Sequence, residues 1–140
     1  MKRLGRYLMP FAAAAMLGGC NVQASIKEAE AEVGHFHHEL DAGNWQAVWK
    51  GADPELRKAG TRAQFGQLLE AVHRKLGNVK STKQVGWNAN ATTGGSFITV
   101  AMETTFERGS AAEQFVYRKG NADQLTLVGY HIQSEQMMVN

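Results

Sequence analysis

Val85-Gly86-Trp87-Asn88-Ala89-Asn90-Ala91-Thr92-Thr93-Gly94-Gly95-Ser96-Phe97-Ile98-Thr99-Val100-Ala101-Met102 is the stretch on which the fold turns. Val85, Trp87, Ala89 and Ala91 alternate with Gly86, Asn88 and Asn90. A period of two is the mark of a strand with one buried face. Thr92-Thr93-Gly94-Gly95 interrupts the alternation with residues suited to a tight turn. Ile98, Val100 and Met102 then line one side of a second strand, over 97–106. Glu107-Arg108-Gly109-Ser110 leads into a third over 112–119, and Gly120-Asn121-Ala122-Asp123 into a fourth over 125–132. Links this short join neighbouring strands, so the second half of the chain is predicted to be an antiparallel meander.

Working backwards from that sheet, the period changes to a helical one. Ile26, Ala29, Val33, Phe36 and Leu40 are spaced 3, 4, 3 and 4, which sets one apolar stripe on an amphipathic helix. Gly43 suits its left-handed cap. Asn44 is placed to cap a short helix that carries Trp45, Val48 and Trp49 on one face, and Asp53-Pro54 offers a further start. Thr61 and Gln64 have the spacing of a capping box ahead of Phe65, Leu68, Leu69, Val72 and Leu76. Arg74 and Lys75 favour the negative end of that helix, and Gly77 stops it. Helices first and strands afterwards imply an α+β domain, with N-terminal helices packed on a four-stranded antiparallel sheet.

The first nineteen residues read differently. Lys2, Arg3 and Arg6 precede a short apolar run, Tyr7 to Gly19, too brief to span a bilayer comfortably, which takes about 20 residues. A basic start, an apolar middle and small residues before a cleavage point define an export signal. Leu17-Gly18-Gly19-Cys20 resembles the lipobox of bacterial lipoproteins, which implies cleavage before Cys20 and acylation of its thiol. Two or three acyl chains, at about 0.8 kcal/mol per buried methylene, would hold the chain at a membrane. Asn21 follows; by resemblance to enterobacterial sorting it points to the outer rather than the inner membrane. The expected organisation is therefore a signal peptide over 1–19, a lipidated tether over 20–25, the α+β domain over 26–133 and a C-terminal tail over 134–140.

Removing Lys2, Arg3 and Arg6 from the 15 basic side chains leaves 12 against 13 acidic ones, a net of −1. No basic cluster remains to serve a nucleic-acid partner. The 44% hydrophobic content suffices for a packed core, which argues against global disorder.

Five pieces carry a family resemblance: Leu40-Asp41-Ala42-Gly43-Asn44-Trp45, Ala47-Val48-Trp49, Leu76-Gly77-Asn78-Val79, Glu113-Gln114-Phe115 and Gly129-Tyr130-His131-Ile132. In this order, with helices ahead of the meander, they resemble the nuclear transport factor two-like superfamily, a cystatin-like cone. They are more closely similar to small exported bacterial proteins grouped there as a domain of unknown function. The resemblance implies the fold and transfers no activity, because such folds host enzymes, binding modules and assembly domains alike.

Enzymes of that superfamily place acids, histidines and tyrosines inside the cone, so Tyr117, Tyr130, His131, Glu103 and Glu113 are the groups to follow. Tyr130 and His131 are adjacent on a strand and point to opposite faces, so only one of them can serve a given pocket. His35 and His38 are three apart on the first helix and could share a metal ion, although a proper site needs three or four ligands. His37, at the margin of the apolar stripe, and His73 are read as semi-buried packing residues. Trp45, Trp49, Trp87 and Tyr117 are candidates for lining an apolar pocket. The sequence has no phosphate-binding glycine loop, paired-cysteine metal motif or nucleophile elbow, and no cofactor is expected. These features favour a lipid-anchored, periplasm-facing module that binds a small apolar ligand or an envelope protein. The alternatives are catalysis through Tyr130 or His131, and metal capture by His35 and His38.

Overall fold

The computed structural model describes residues 5–122 and 124–138, with side chains from Val22 onward. Leu17, Gly18, Gly19 and Cys20 thus lie outside the residues whose side chains are described. Four helices come first: α1 (Gly5–Asp41), α2 (Trp45–Gly51), α3 (Pro54–Ala59) and α4 (Arg62–Leu76). Four strands follow, β1 (Val79–Thr92), β2 (Gly95–Phe106), β3 (Gly109–Lys119) and β4 (Leu125–Gln133), then a single turn of helix, α5 (Glu135–Met138). The strands lie in the order β1-β2-β3-β4, every neighbour antiparallel. This is the α+β meander that the period change after Gly77 predicts. No described helix is long and apolar enough to cross a membrane.

The α1 stripe forms as its spacing demands. Ile26, Ala29, Val33, Phe36 and Leu40 are all buried. Full burial of each larger member stabilises by about 1.5–3 kcal/mol. α1 also runs through 22–25, where a tether was expected. Ser25 is buried there, and its hydroxyl accepts a hydrogen bond from Lys119 Nζ at 3.1 Å. Beneath the helices lies one face of the sheet, formed by Ile98, Val100, Met102, Thr104 and Phe106 of β2 and Ala111, Glu113, Phe115 and Tyr117 of β3, all buried.

Local signals place the helix ends, with one exception. Gly43 and Gly77 take positive φ, 71° and 81°, which an L side chain adopts only at a cost. Asp53 caps α3 by accepting from Glu55 N–H, and Thr61 and Gln64 close the capping box of α4. Asn44 precedes α2 but makes no side-chain cap. Its amide donates to Glu39 Oε2 at 2.8 Å instead, tying the loop back to α1. At the far end of α4, Arg108 from the β2–β3 turn donates to the Arg74 and Lys75 carbonyls at 2.6 and 3.3 Å. A cation there satisfies orphan carbonyls and opposes the helix dipole.

Three irregularities in register interrupt the pairing, one of them between Val79 and Ser81 at the start of β1, and the other two bear on which side chains face inward. In β4, Val116 pairs with Gly129 and Tyr117 with Leu127, so Val128 is an extra residue. In β1, Gln84 pairs with Met102 and Gly86 with Ala101, so Val85 is extra. A bulge of this kind reverses the side-chain alternation beyond it.

Candidate functional site

The sheet's inner face carries a carboxylate among aromatic rings. Glu113 lies between Ala111 and Phe115 in the inward row of β3, its side chain inaccessible to solvent. Burying a carboxylate is costly unless donors surround it. Here His37 Nε2 sits 2.7 Å from Oε1, Thr104 Oγ1 donates to the same oxygen at 2.6 Å, and Tyr130 Oη donates to Oε2 at 2.6 Å. The single proton of Thr104 is committed to Glu113, so Thr82 Oγ1, 2.7 Å away, is the donor of the next link. Phe36, Phe106 and Phe115 pack edge-on or tilted against His37 and Tyr130 and close the network off. Burial, and then the charge and hydrogen bond of Glu113, push the Tyr130 phenol well above its usual value of 10. The arrangement orders α1, β2, β3 and β4 about one acid.

An open feature lies beside this network, at the edge of the helical layer. A cleft of about 210 Å³ runs between α1, α2, β3 and β4. Phe36, Ala47, Val48, Leu125 and Leu127 supply its apolar walls, and Glu32, His35, Glu39 and Tyr117 its polar groups. Tyr117 is only 2% exposed, yet its hydroxyl finds no hydrogen-bond partner among the described residues. An unpaired buried hydroxyl costs about 1–3 kcal/mol. Nearly all such groups in folded proteins find a partner, whether protein or ordered water. Burial, then the charges of Glu32 and Glu113, raise its pKa, so the phenol stays protonated across the physiological range.

The expected site residues divide accordingly. Tyr117 lines the cleft; of the tryptophans expected beside it, Trp45 lines a separate apolar depression of about 120 Å³ with Leu40, Gly43 and Leu69, whereas Trp49 and Trp87 do not line the cleft. Trp45 folds over Gly66 and donates from Nε1 to Glu70 at 2.9 Å, with the Arg62 guanidinium 5.0 Å from its ring centre. Trp49 packs on Phe65, ring centres 5.5 Å apart. Trp87 is 50% exposed, because β1 is an edge strand and that part of it lacks a helical cover. Of the adjacent pair on β4, Tyr130 faces inward and His131 is exposed on the opposite face, and Glu103 is likewise exposed. His35 and His38 both face solvent; His35 Nδ1 lies 3.7 Å from Glu32. Among the described residues no three histidines, cysteines or carboxylates gather so that they could hold a metal ion. His37 is more than a packing residue, since it bonds an acid 76 positions away. His73 is half-buried, with Nε2 2.9 Å from Asn78 Oδ1. The sequence signal for the buried network was a charged residue, Glu113, in an otherwise apolar inward row.

Fold and site together define a small α+β domain with a closed polar centre and a mixed apolar–acidic cleft at its helical edge. The chain belongs to the family described as Protein of unknown function (DUF4019), whose model matches residues 33–130. That span includes every residue of the Glu113 network and all of the cleft but Glu32. Comparison with the curated proteins returns no match. Among solved structures the chain is similar to ActVI-ORFA from Streptomyces coelicolor, with 17% identity over 79% of this chain and 94% of that one and a TM-score of 0.46.

Proposed function

We propose that this protein is an exported lipoprotein, anchored through Cys20 on the periplasmic side of the envelope, whose α+β domain binds a small molecule in the α1–α2 cleft. The basic start, the apolar run and Leu17-Gly18-Gly19-Cys20 support the anchor. The observation that carries the binding role is the buried, unpartnered hydroxyl of Tyr117 in the wall of that cleft. Glu113, by contrast, has all its near donors engaged within the fold. A binding module is therefore favoured over a catalyst that uses Tyr130.

The test is native mass spectrometry of the full-length protein extracted from membranes. A co-purifying small molecule is expected, and it should be lost from a Val48→Trp variant that fills the cleft. Wild-type protein that carries no adduct and gains no thermal stability from any member of a small-molecule library would refute the binding role. For the anchor, Cys20→Ala should leave the membrane fraction. Native material with an intact leader and an unmodified thiol would overturn that part.

A further inference from the structure

The cleft's polar side is a lane along one helix. Glu28, Glu32, His35 and Glu39 are spaced 4, 3 and 4, so they share a face of α1 adjoining its apolar stripe. Glu32, His35 and Glu39 line the cleft beside Tyr117. A neighbouring depression of about 210 Å³, lined by Glu28, Ala31, Glu32, Gln124 and Leu125, shares Glu32 and Leu125 with it and extends the acidic side. Among the described residues no lysine or arginine lines either space. Exposure grades from mouth to interior: the Glu32 side chain is 40% accessible, whereas Tyr117 is 2% exposed and stacks on Phe115. The space is thus lined by the carboxylates of Glu32 and Glu39, by Phe36, Val48 and Leu127, and by Tyr117, whose buried hydroxyl is unpaired among the described residues.

Resting on the small-molecule reading above, we propose that the ligand is an organic amine: a cationic head between Glu32 and Glu39, a short apolar body against Phe36, Val48 and Leu127, and a polar atom at the far end that pairs with the Tyr117 hydroxyl. The two carboxylates attract a cation and repel an acid. Burial and the nearby Glu32 charge keep Tyr117 a neutral phenol, able to donate to or accept from that far atom. The volume suits a molecule of about ten non-hydrogen atoms, smaller than usual drug-sized ligands.

Three probes separate the components by calorimetry on the full-length protein in detergent. Tyramine carries amine, ring and hydroxyl; phenethylamine lacks the hydroxyl; 3-(4-hydroxyphenyl)propionate exchanges the amine for an acid. Tyramine is expected to bind about fivefold more tightly than the acid, the factor that a partly exposed ion pair at the upper end of its usual strength supplies. Glu32→Gln combined with Glu39→Gln should erase that difference. Tyramine should also exceed phenethylamine, and Tyr117→Phe should abolish that second difference while leaving thermal stability unchanged or higher. If the acid binds as well as the amine, the charge assignment fails but the cleft remains a binding site. If none of the probes binds while an adduct is seen by native mass spectrometry, the amine class is wrong and the cleft role stands. If neither probes nor adduct bind, both readings fall.

Discussion

Tyr130 Oη donates to Glu113 Oε2 across 2.6 Å at a point where the Glu113 side chain is closed to solvent. The bond joins β4 to β3 from within, and the other carboxylate oxygen reaches α1 through His37 and β2 through Thr104. One acid thus serves four elements, and its consequences for stability can be measured.

Replacing Glu113 with Gln keeps the size but gives one oxygen's place to an amide that cannot accept. One of the three near donors then loses its acceptor, at a cost of about 1–3 kcal/mol. Glu113→Ala should cost more, because it strands all three and leaves a void. Urea denaturation measures both. A Gln variant as stable as the wild type would show that the network contributes little to the fold.

The raised phenols of Tyr117 and Tyr130 predict a decline in stability at alkaline pH. In the unfolded chain each loses its proton near pH 10, whereas in the fold each keeps it to higher pH. Between those values the native state binds more protons, so their contribution is fully present below about pH 10 and is lost as pH rises beyond it. The slope is about 1 kcal/mol per pH unit for each tyrosine. Ultraviolet difference titration of the folded protein should show both phenols silent until unfolding. Reversible ionisation near pH 10 with the fold intact would contradict the burial.

Asp53 makes the opposite prediction at acid pH. Burial alone would raise its carboxyl, but the Glu55 N–H, the Thr126 hydroxyl and the Arg118 and Arg57 guanidiniums outweigh that and hold it below 3.8. A lowered folded pKa gives stability that is present above the unfolded value and lost as pH falls through the folded one. Asp53→Asn should flatten that acid limb. Asp53→Ala should cost about 1–2 kcal/mol at neutral pH as the α3 cap disappears. The two variants are compared by denaturation between about pH 2 and about pH 7, a span that brackets the carboxylate range.

Gly66 tests the close packing of α4 on α2. A Cβ there would stand 2.5 Å from Trp45 Cζ2 and 2.7 Å from two further ring carbons. A rigid indole has to move, so Gly66→Ala should destabilise by about 1–3 kcal/mol despite its better helix propensity. It should also shift tryptophan fluorescence as the Nε1 bond to Glu70 breaks. Unaltered emission together with unaltered stability would show that the indole accommodates the methyl freely.

Much of the architecture was legible in the sequence because it follows from local rules. The 3–4 spacing from Ile26 to Leu40, the Thr61–Gln64 box, the Asp53-Pro54 start and the turns that end at Gly95 and Gly109 each act over a few residues. The cleft was legible only in part. Tyr117 was among its candidates, but of the tryptophans named with it Trp45 lines a separate depression, Trp49 is spent on packing and Trp87 is exposed, a choice that depends on which surfaces the helices cover.

The sequence by itself determined the α+β order, the antiparallel meander and the apolar stripes, since periodicity and turn chemistry act on neighbouring residues. The tertiary structure alone decided the face of each side chain beyond a bulge. An unbroken alternation from Leu127 would have turned Gly129 and His131 inward; the extra residue Val128 turns Tyr130 inward instead and sends His131 to the exposed face. It also decided that His37 meets Glu113 and that the Tyr117 hydroxyl is left without a partner among the described residues. Those outcomes depend on contacts between distant segments, which no local period encodes.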